Sequence, residues 1–309
     1  MDTMSPPPPA CAIVLVCWNN KAYLEPCLRS LFGAGMRNTF ETVVVDNGST
    51  DGSQEMLRTG FPGVRIVQND RNVGLARACN QGIECTTAPF VLLLNNDTIV
   101  NGRSLDRLID FMRGTPDAGA VGVTLLNEDG SFQGAWSRFS SLGQELLIAT
   151  RLGERLWPGY PSHRQEAREG ACVGWLSSAC LLLNRAALGE VGLLDEEYFI
   201  YGDEADLQYR LIRAGWKVYH LPDATIVHFG GRSMDRWRRR RMVYRGKMLF
   251  YRKNYGTLKA LGLRGLLFTL TVGKTAAWVL AGALPAARER ARAELRSNAD
   301  VLRLCFRLQ

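Results

Sequence analysis

The stretch from Phe90 to Val100, FVLLLNNDTIV, decides the fold of this chain. It opens with five apolar residues, a run that is short for a helix and typical of a strand covered on both faces, as in a parallel sheet. Asn95, Asn96 and Asp97 follow where this strand ends. In open α/β sheets, ligands bind beyond the carboxyl ends of the strands, so a carboxylate flanked by amides there can hold a metal ion or a phosphate group. A polar turn that only caps the strand is the alternative interpretation.

Three similar apolar runs precede this stretch, and polar residues followed by a helical pattern come after each of them. The runs cover residues 12–17, 42–45 and 64–67. Strands that alternate with helices in this way predict a doubly wound α/β sheet, mostly parallel, with helices on both faces. Because such crossovers are right-handed, we expect the carboxyl ends of the strands to lie along one edge of the sheet.

The chain beyond residue 100 is less regular. The acidic cluster GDEAD, at residues 202–206, precedes a helix whose apolar residues are Leu207, Leu211 and Ile212. The remaining predicted elements are a helix at 105–112, a strand at 120–125, a hairpin turn at 129–130, a mobile flap at 139–169, an apolar segment at 173–183, a helix from about 185, and short strands at 216–219 and 225–228.

Length and composition indicate one large α/β domain with an appendage. The chain has 309 residues, of which 46% are hydrophobic, enough for a packed core. Its eight cysteines form no CxxC pair, a usage typical of reduced thiols in a cytoplasmic protein rather than of a disulfide framework or a zinc site. The first ten residues, MDTMSPPPPA, lack the pattern of a signal peptide, and we predict a disordered leader at 1–10.

Basic residues are concentrated in the last quarter of the chain. Residues 1–231 carry 19 basic and 26 acidic side chains, whereas residues 232–309 carry 19 basic and 4 acidic ones. This predicts a basic, partly apolar helical region at 232–309 whose partner is an anionic surface, either membrane lipid or nucleic acid. We favour the membrane and expect no nucleic acid, because no nucleic-acid module is recognised. Lys274, near the middle of the apolar stretch, favours a helix lying at the interface over a spanning one.

Seven motifs occur in order between about residues 11 and 255: VLVCWNN, VVVDNGSTDGS, NVGLARACNQG, LLLNNDT, GWLSSACLLLNR, FIYGDEADLQYRLIRAGW and VHFGG. Together they resemble the inverting nucleotide-sugar glycosyltransferases of family 2, and within them the bacterial rhamnosyltransferase-like group. The resemblance implies a GT-A fold for residues 11–231, with a nucleotide-binding half and an acceptor-binding half. It also implies a nucleotide-sugar donor, a glycan or polyprenyl-diphosphate-linked acceptor, and a peripheral location at the cytoplasmic, inner face of the cell membrane.

The resemblance also assigns catalytic and metal-binding residues. By motif alignment the general base is Glu204, with Asp203 as second choice. Asp97 and His228 are assigned as ligands of Mg²⁺ or Mn²⁺, although the DxD motif of the family stands here as Asn95-Asn96-Asp97, with a single carboxylate. One carboxylate and one imidazole suffice for a cation that also binds two phosphates and water.

Further positions are assigned to substrate binding, and several of them have a plainer structural interpretation. Asp206 is at the right spacing to pair with Arg210 on the same helix, Trp175 is a candidate core residue, and Asn47 suits an ordinary turn. The assigned substrate-binding residues are Asn19, Asp46, Asn47, Asn72, Gly74, Arg77, Asn95, Asn96, Trp175 and Asp206.

The donor sugar stays open between L-rhamnose from dTDP-rhamnose and a hexose from a UDP-sugar. A catalytically silent protein that binds sugar nucleotides, or that serves as a membrane scaffold, is the alternative from another functional class. The amide at the first DxD position suggests this alternative, whereas Glu204, Asp97 and His228 argue for a working enzyme.

Overall fold

The computed structural model describes residues 8–150, 152–156, 170–230 and 236–306. Most of the predicted leader, the second half of the predicted flap and the predicted boundary at 231–232 therefore lie outside the described residues. The chain forms two compact units. The sheet unit comprises Met1–Arg138, Ser162–Phe199 and Asp203–Ser233, and the helical unit comprises Phe139–Pro161, Ile200–Gly202 and Met234–Gln309.

The sheet unit contains a central mixed sheet with helices on both faces. Its strands are β1 (Cys11–Cys17), β2 (Phe40–Asp46), β3 (Arg65–Gln68), β4 (Phe90–Leu94), β5 (Thr98–Ile99), β6 (Ala118–Leu126), β7 (Phe132–Gln133), β8 (Trp136–Ser137), β9 (Ala171–Cys172), β10 (Trp175–Leu176), β11 (Cys180–Asn184) and β12 (Lys217–His228). Its helices are α1 (Lys21–Phe32), α2 (Ser53–Gly60), α3 (Leu75–Glu84), α4 (Gly102–Gly114), α7 (Arg185–Val191) and α8 (Asp203–Arg213). The strand order in the main sheet is β3-β2-β1-β4-β11-β6-β12-β5.

The prediction of a doubly wound, mostly parallel sheet is confirmed, with one reversal at its centre. Strands β3, β2, β1 and β4 run parallel, but β11 lies antiparallel between β4 and β6. The expectation that the four predicted strands end at one edge is confirmed, because β1 to β4 all run parallel, whereas β11 is a further strand of opposite direction. Because β11 is reversed, its first residue, Cys180, pairs with Leu94, the last residue of β4. The segment before β11 thus joins the edge where β4 ends.

Another difference concerns the two short strands predicted at 216–219 and 225–228. They form the single strand β12, whose pairing with β6 shifts register between Leu221 and Thr225. Pro222 lies within this shift, and since proline has no backbone N–H, it interrupts both the ladder and the sequence pattern. The hairpin turn predicted at Asp129-Gly130 is present and connects β6 to β7.

Alternation along β1 explains why helices cover both faces of the sheet. Ile13 and Leu15 point to one face and share a core with Leu28 of α1. Val14, between them, points to the other face and packs in a core with Ile83 of α3. All of these side chains are buried, so the strand is apolar along its whole length, as expected for a strand covered on both sides.

The helical unit confirms the predicted helical C-terminal region. It consists of α5 (Leu142–Thr150), α6 (Leu152–Leu156), α9 (Arg236–Phe250), a π-helix (Tyr251–Tyr255), α10 (Thr257–Ala281), a short 3₁₀ helix (Pro285–Ala287) and α11 (Arg288–Phe306). The buried Glu145 of α5 forms an ion pair with Lys247 of α9 at 2.7 Å. Lys274 of α10 donates a hydrogen bond to the carbonyl of Ala149 at 2.9 Å, near the end of α5 where helix carbonyls lack partners.

By length and composition, α10 is the one helix of the described residues that is able to cross a membrane. Only 17% of its most apolar 18-residue stretch is buried within the molecule. Core helices of soluble proteins can be equally long and apolar, but they are mostly buried, whereas α10 is mostly exposed. This low burial leaves most of its apolar surface exposed.

Candidate functional site

A carboxylate that follows β4 and an imidazole at the end of β12 lie next to each other. Asp97 follows β4, and His228 is the last residue of β12. The Nε2 atom of His228 lies 3.2 Å from the Oδ1 atom of Asp97 and 3.2 Å from the Nδ2 atom of Asn95. The backbone N–H of Phe229 donates to the carbonyl of Asp97 at 2.9 Å, which holds the two chain segments side by side. The two residues assigned as metal ligands are thus neighbours.

Gln133 fixes the tautomer of His228. Its Nε2 atom donates to the carbonyl of His228 at 3.1 Å and to Oδ1 of Asn127 at 2.9 Å, so its Oε1 atom faces the imidazole. The Nδ1 atom of His228, 2.6 Å from this oxygen, must therefore carry a hydrogen and donate it. In the neutral ring the lone pair is then on Nε2, which lies 3.2 Å from Oδ1 of Asp97 and 3.2 Å from the donor Nδ2 of Asn95. A second residue that orients a metal-binding histidine in this way is usual in metalloproteins.

This arrangement fits a divalent cation. The Nε2 lone pair of His228 and the Oδ1 atom of Asp97 are electron-rich groups 3.2 Å apart, and a cation bound by both would be stabilised by them. Within the part of the chain that the structure describes, no three or more His, Cys, Asp or Glu side chains are grouped to hold a metal. Asp97 and His228 therefore suit a cation whose other ligands are phosphate oxygens and water, as is common for Mg²⁺ bound with nucleotides.

Asn47, at the end of β2, organises the loop that precedes α3. Its Nδ2 atom donates to Oδ1 of Asn72 at 3.1 Å and to the carbonyl of Gly74 at 3.2 Å. Its Oδ1 atom accepts from the N–H of Val73 at 3.0 Å and from Nδ2 of Asn69 at 3.2 Å. Asn47 and Asn72 were both assigned to substrate binding, and the structure places them together as the frame of this loop.

Asp46 precedes Asn47 and is fully buried. Its Oδ1 atom accepts hydrogen bonds from the N–H of Ser49 and from Nε2 of Gln54, both at 3.0 Å. Its Oδ2 atom has no hydrogen-bond partner among the described residues. A buried carboxylate oxygen without a donor is costly, so a ligand N–H at this point would be bound favourably.

Asparagines also connect the ends of β1, β2 and β4. Asn19, with a positive φ of 50°, accepts from the N–H of Thr50 at 2.7 Å and so ties the turn after β1 to the turn after β2. Asn96 donates to the carbonyl of Val16 at 2.7 Å and accepts from Asn20 at 2.5 Å. These amides of the predicted site therefore fix the relative positions of three strand ends.

The entrance to α3 contains the next pair of predicted site residues. Gly74 has a φ of 95°, and a Cβ atom there would lie 2.9 Å from the carbonyl oxygen of Phe199, so only glycine fits. The N–H of Leu75 donates to the same oxygen at 2.7 Å. Arg77, which was expected to face the diphosphate, is more than half exposed, and its Nε atom lies 3.9 Å from Glu196.

The first turn of α8 presents the two candidates for the general base. Asp203 is fully buried, and its carboxyl group lies within hydrogen-bonding reach of the side chain of Glu204. Burial raises the pKa of Asp203 well above its usual value, and the neighbouring carboxylate of Glu204 raises it further. Glu204 is only half-buried. Of the two carboxylates, Glu204 is therefore the one that an acceptor hydroxyl can reach.

A small cavity lies between Asp203 and the end of β4. It has a volume of about 20 Å³, enough for one water molecule, and its polar lining includes Asp203, Asn95 and Ser178. Ser178 belongs to the segment before β11, and Ala179, next to it, accepts a hydrogen bond from the N–H of Asn95 at 3.0 Å. The reversed direction of β11 thus brings this segment, Asn95 at the end of β4 and Asp203 of the acidic cluster to one place.

Two predicted site residues have mainly structural surroundings. Asp206 is buried, its Oδ2 atom accepts from Nε of Arg210 at 2.9 Å, and its Oδ1 atom accepts from the hydroxyl of Tyr198 at 3.3 Å. The pairing with Arg210 is the one that the helical spacing allowed. Trp175 lies in β10, half-buried, where it pairs with Ser137 of β8 in a separate two-stranded sheet.

Two residues of the site were missed in the sequence. Gln133, which orients His228, lies in the two-residue strand β7 and carries no motif of its own; its only signal is the preceding Asp-Gly hairpin turn. Phe199, whose carbonyl accepts from Leu75, lies at the start of a recognised motif but acts through its backbone. Backbone contacts between distant segments leave no mark on side-chain patterns.

The fold is that of the GT-A glycosyltransferases. A mannosyltransferase from Pyrobaculum calidifontis, solved in complex with GDP-Man and Mn²⁺, superposes with a TM-score of 0.58 at 17% identity and covers 96% of this chain and 86% of its own. The structure of GalNAc-T7 with UDP, GalNAc and Mn²⁺ gives a TM-score of 0.57 at 17% identity, over 80% of this chain and 50% of that one.

The chain belongs to glycosyltransferase family 2, whose family model matches residues 12–192. It is 34% identical over 240 residues to the N-acetylglucosaminyl-diphospho-decaprenol L-rhamnosyltransferase of Mycobacterium tuberculosis. The aligned region covers 72% of this chain and 77% of the relative. It is 24% identical over 250 residues to the amylovoran biosynthesis glycosyltransferase AmsE of Erwinia amylovora, over 80% of this chain and 85% of the relative. The resemblance to the rhamnosyltransferase-like group is thus confirmed, and the protein is a glycosyltransferase.

Proposed function

We propose that this glycosyltransferase transfers L-rhamnose from dTDP-L-rhamnose, with inversion, to a sugar linked to polyprenyl diphosphate. The observation that carries the reaction class is the pairing of Asp97 with the Nε2 atom of His228 at 3.2 Å, close to an acidic cluster at the start of a helix. The choice of sugar and acceptor is supported by the relative at 34% identity, which is named as a rhamnosyltransferase acting on a decaprenyl-diphosphate-linked sugar.

The end of β2 is proposed to bind the base of the donor nucleotide. The unpartnered Oδ2 atom of Asp46 accepts a hydrogen bond from an N–H of the base. Asn47 and Asn72 shape the wall of this pocket through the loop that they hold, rather than through direct contacts. The exposed guanidinium of Arg77 remains the candidate for a charge interaction with the diphosphate.

Asp97 and His228 are proposed to hold a Mg²⁺ or Mn²⁺ ion against the diphosphate. When bound, the cation supplies the positive charge that a departing diphosphate requires. Mn²⁺ is present in the two solved glycosyltransferases of the same fold, which supports this assignment. Gln133 keeps the Nε2 atom of His228 free of hydrogen, because the hydrogen is held on Nδ1.

Glu204 is proposed to act as the general base. Its carboxylate takes the proton of the acceptor hydroxyl while the acceptor oxygen bonds to the anomeric carbon from the face opposite the diphosphate. The bond between the anomeric carbon and the diphosphate oxygen breaks, and its electron pair leaves with the nucleoside diphosphate. Burial and the neighbouring Glu204 raise the pKa of Asp203, which favours its protonated form and so lowers the negative charge of the cluster.

The helical unit is proposed to associate peripherally with the inner face of the cell membrane. Helix α10 exposes apolar side chains along its length, and Arg and Lys residues are concentrated in the same part of the chain. Cationic apolar helices lie at the interface of anionic lipid bilayers. Such a position brings the enzyme to an acceptor whose polyprenyl chain is in the membrane.

Calorimetric titration of the protein with dTDP-L-rhamnose, UDP-hexoses and GDP-mannose, each with Mn²⁺, tests the choice of donor. We expect binding of dTDP-L-rhamnose and at least tenfold weaker binding of the others. Transfer of rhamnose to a polyprenyl-diphosphate-linked sugar then tests the acceptor. Preferential binding and transfer of a UDP-hexose would replace the proposed donor with the alternative one and leave the family assignment intact.

A further inference from the structure

The three residues before α8 belong to a different unit from the proposed base, Glu204, which lies in α8. Ile200–Gly202 is part of the helical unit, although Phe199 and Asp203 on either side of it belong to the sheet unit. Phe199 is fixed, because its carbonyl accepts from the N–H of Leu75 at 2.7 Å. Asp203 is the first residue of α8. The conformation of the three intervening residues therefore determines the direction in which the chain enters α8.

These residues have an unusual backbone conformation. Tyr201 has a φ of 65°, and Gly202 has a φ of 99°. Tyr201 and Asn19 are the two non-glycine residues with a positive φ in the part of the chain that the structure describes. Asparagine tolerates this region, whereas a bulky aromatic residue adopts it only when surrounding contacts hold it there. The contacts around Tyr201 are therefore expected to matter for this segment.

Gly246, in the interior of α9, supplies the main contact. It is buried, and a Cβ atom built on it would overlap the carbonyl oxygen of Tyr201 and lie 3.0 Å from its carbonyl carbon. Glycine weakens a helix interior relative to alanine, so its presence here is explained by this close approach. The guanidinium of Arg239, also on α9, lies 5.9 Å from the centre of the Tyr201 ring. Helix α9 thus holds the segment at its backbone and at its side chain.

We propose that Gly246 and Tyr201 are positioning residues of the transfer reaction, which hold the segment Ile200–Gly202 so that α8 presents Glu204 to the acceptor hydroxyl. This inference rests on the proposed function of Glu204. The glycine allows α9 to approach the carbonyl of Tyr201, and this contact maintains the left-handed turn from which α8 starts. Because Glu204 lies in the first turn of α8, it follows any change in the direction of that turn.

The effect on the reaction is expected to be large relative to the size of the contact. A displacement of about 1 Å between reacting groups can lower a rate by about 10²-fold. An added methyl group at Gly246 cannot be accommodated without moving the carbonyl of Tyr201 or the helix itself. The nucleotide pocket at the end of β2 does not involve this contact. Turnover should therefore fall while donor binding is retained.

The variant Gly246→Ala tests this inference, with Gly265→Ala as its matched control. Gly265 lies in α10 of the same unit, and nothing lies within 4 Å of a Cβ atom built on it. We expect Gly246→Ala to lower kcat at least tenfold with KM for the donor unchanged, and to accelerate amide hydrogen exchange in residues 200–206. Gly265→Ala should leave kcat and this exchange unchanged. Equal exchange in residues 200–206 and equal kcat in the two variants would overturn the inference.

A second variant covers the case in which Gly246→Ala does not fold. The substitution Tyr201→Gly adds no atom and removes the contact between Arg239 and the tyrosine ring. Glycine can still adopt the positive φ, but the side-chain contact no longer holds the residue in it. We expect faster exchange in residues 200–206 and a lower kcat, and unchanged values of both would overturn the inference. If the unmodified protein shows no transfer at all, the exchange measurement still decides whether α9 holds the segment, and the failure belongs to the proposed function.

Discussion

The sheet unit and the helical unit differ in where they place large apolar side chains. In the described residues of the sheet unit, those that are exposed are Phe32 and Ile212. The exposed ones in the helical unit are Leu146, Leu152, Leu156, Leu258, Leu261, Phe268, Val272, Val279, Leu280, Leu284 and Phe306. Conversely, the buried polar groups of the candidate site all belong to the sheet unit. This difference supports the proposal that the sheet unit carries out the reaction and the helical unit attaches the protein to a membrane surface.

Substitution of the proposed base is expected to have the largest effect, and it tests whether catalysis belongs to the sheet unit. Glu204→Gln keeps the shape of the side chain but cannot take a proton, so kcat should fall by about 10²-fold or more with donor affinity close to normal. Steady-state kinetics combined with calorimetry of donor binding measure both quantities.

Asp203→Asn is the matched control for this substitution. Because the raised pKa keeps Asp203 protonated, an uncharged amide should serve nearly as well, and turnover should stay close to that of the unmodified protein. Near-normal turnover of Glu204→Gln together with a collapse in Asp203→Asn would transfer the role of base to Asp203. Normal turnover in both variants would remove the acidic cluster from the reaction.

The metal-binding candidates give the next largest effect. Asp97→Ala and His228→Ala should each weaken donor binding and lower activity, and EDTA should abolish turnover of the unmodified protein. Gln133→Leu removes the group that orients His228, and we expect it to weaken Mn²⁺-dependent donor binding by about 10-fold to 100-fold. Full activity in excess EDTA would exclude a metal from the reaction and leave Arg77 and the basic tail to bind the diphosphate.

Surface substitutions test the other half of the comparison. Leu258 and Leu280 are 86% and 76% exposed at the two ends of α10. Each leucine that enters a bilayer interface contributes roughly 1.5 kcal/mol, so Leu258→Ser with Leu280→Ser should lower binding to anionic vesicles at least tenfold. Phe32→Ser, an exposed residue of the sheet unit, is the control and should leave vesicle sedimentation unchanged. Equal loss in the control, or none in the double variant, would contradict attachment through the helical unit.

Neutralising the arginines of α9 tests the same attachment through charge, but some of them also stabilise the unit. Arg240 pairs with the buried Glu294 at 3.3 Å, and Arg241 lies 3.7 Å from Asp300. Replacing Arg238 to Arg241 with glutamine, or deleting residues 232–309, should release the protein from anionic vesicles. The thermal unfolding of the glutamine variant should be measured alongside vesicle binding, because a loss of the fold would also release the protein from the vesicles.

The smallest expected effect is on stability. The pKa of Asp203 is raised in the folded protein, so its proton stabilises the fold at a pH below the ordinary value of about 3.9, and this contribution is lost as the pH rises through the raised value. Asp203→Asn has no such loss and should be more stable than the unmodified protein at neutral pH. Urea unfolding from pH 7 down to pH 4 should show this difference shrinking. A constant difference would mean that Asp203 is ionised in the folded state.

Much of the sheet could be predicted because its first strands, and the helices between them, are each visible as a pattern in a short stretch of sequence. Strands β1 to β4 are continuous apolar runs followed by polar turns, and the helices between them have a clear period. The direction of β11 could not be predicted, since an apolar run reads the same in either direction. The break in the pattern at Pro222 likewise divided one long strand into two.

The site was predictable in its residue types and less so in their roles. Asp97 and His228 were expected to meet and do lie together, because both follow or end strands at the same edge. Asn47 and Asn72 were expected to bind substrate, yet their amides are used by a loop that is fixed only in the folded chain. A side-chain amide has the same appearance in a sequence whether its partner is a ligand or a backbone group 26 residues away.

Gly246 has a consequence for engineering this protein. Replacement of helix glycines by alanine is a routine way to raise thermal stability, because alanine favours the helix and restricts the unfolded chain. Helices α9 and α10 contain Gly246, Gly262, Gly265 and Gly273, which a propensity scale rates alike. A Cβ atom at Gly262 would lie 2.9 Å from the side chain of Leu142. Gly265 and Gly273 have open space around them and are safe positions, whereas a methyl group at Gly246 would meet the carbonyl of Tyr201. A stabilised version of this enzyme should therefore keep glycine at 246.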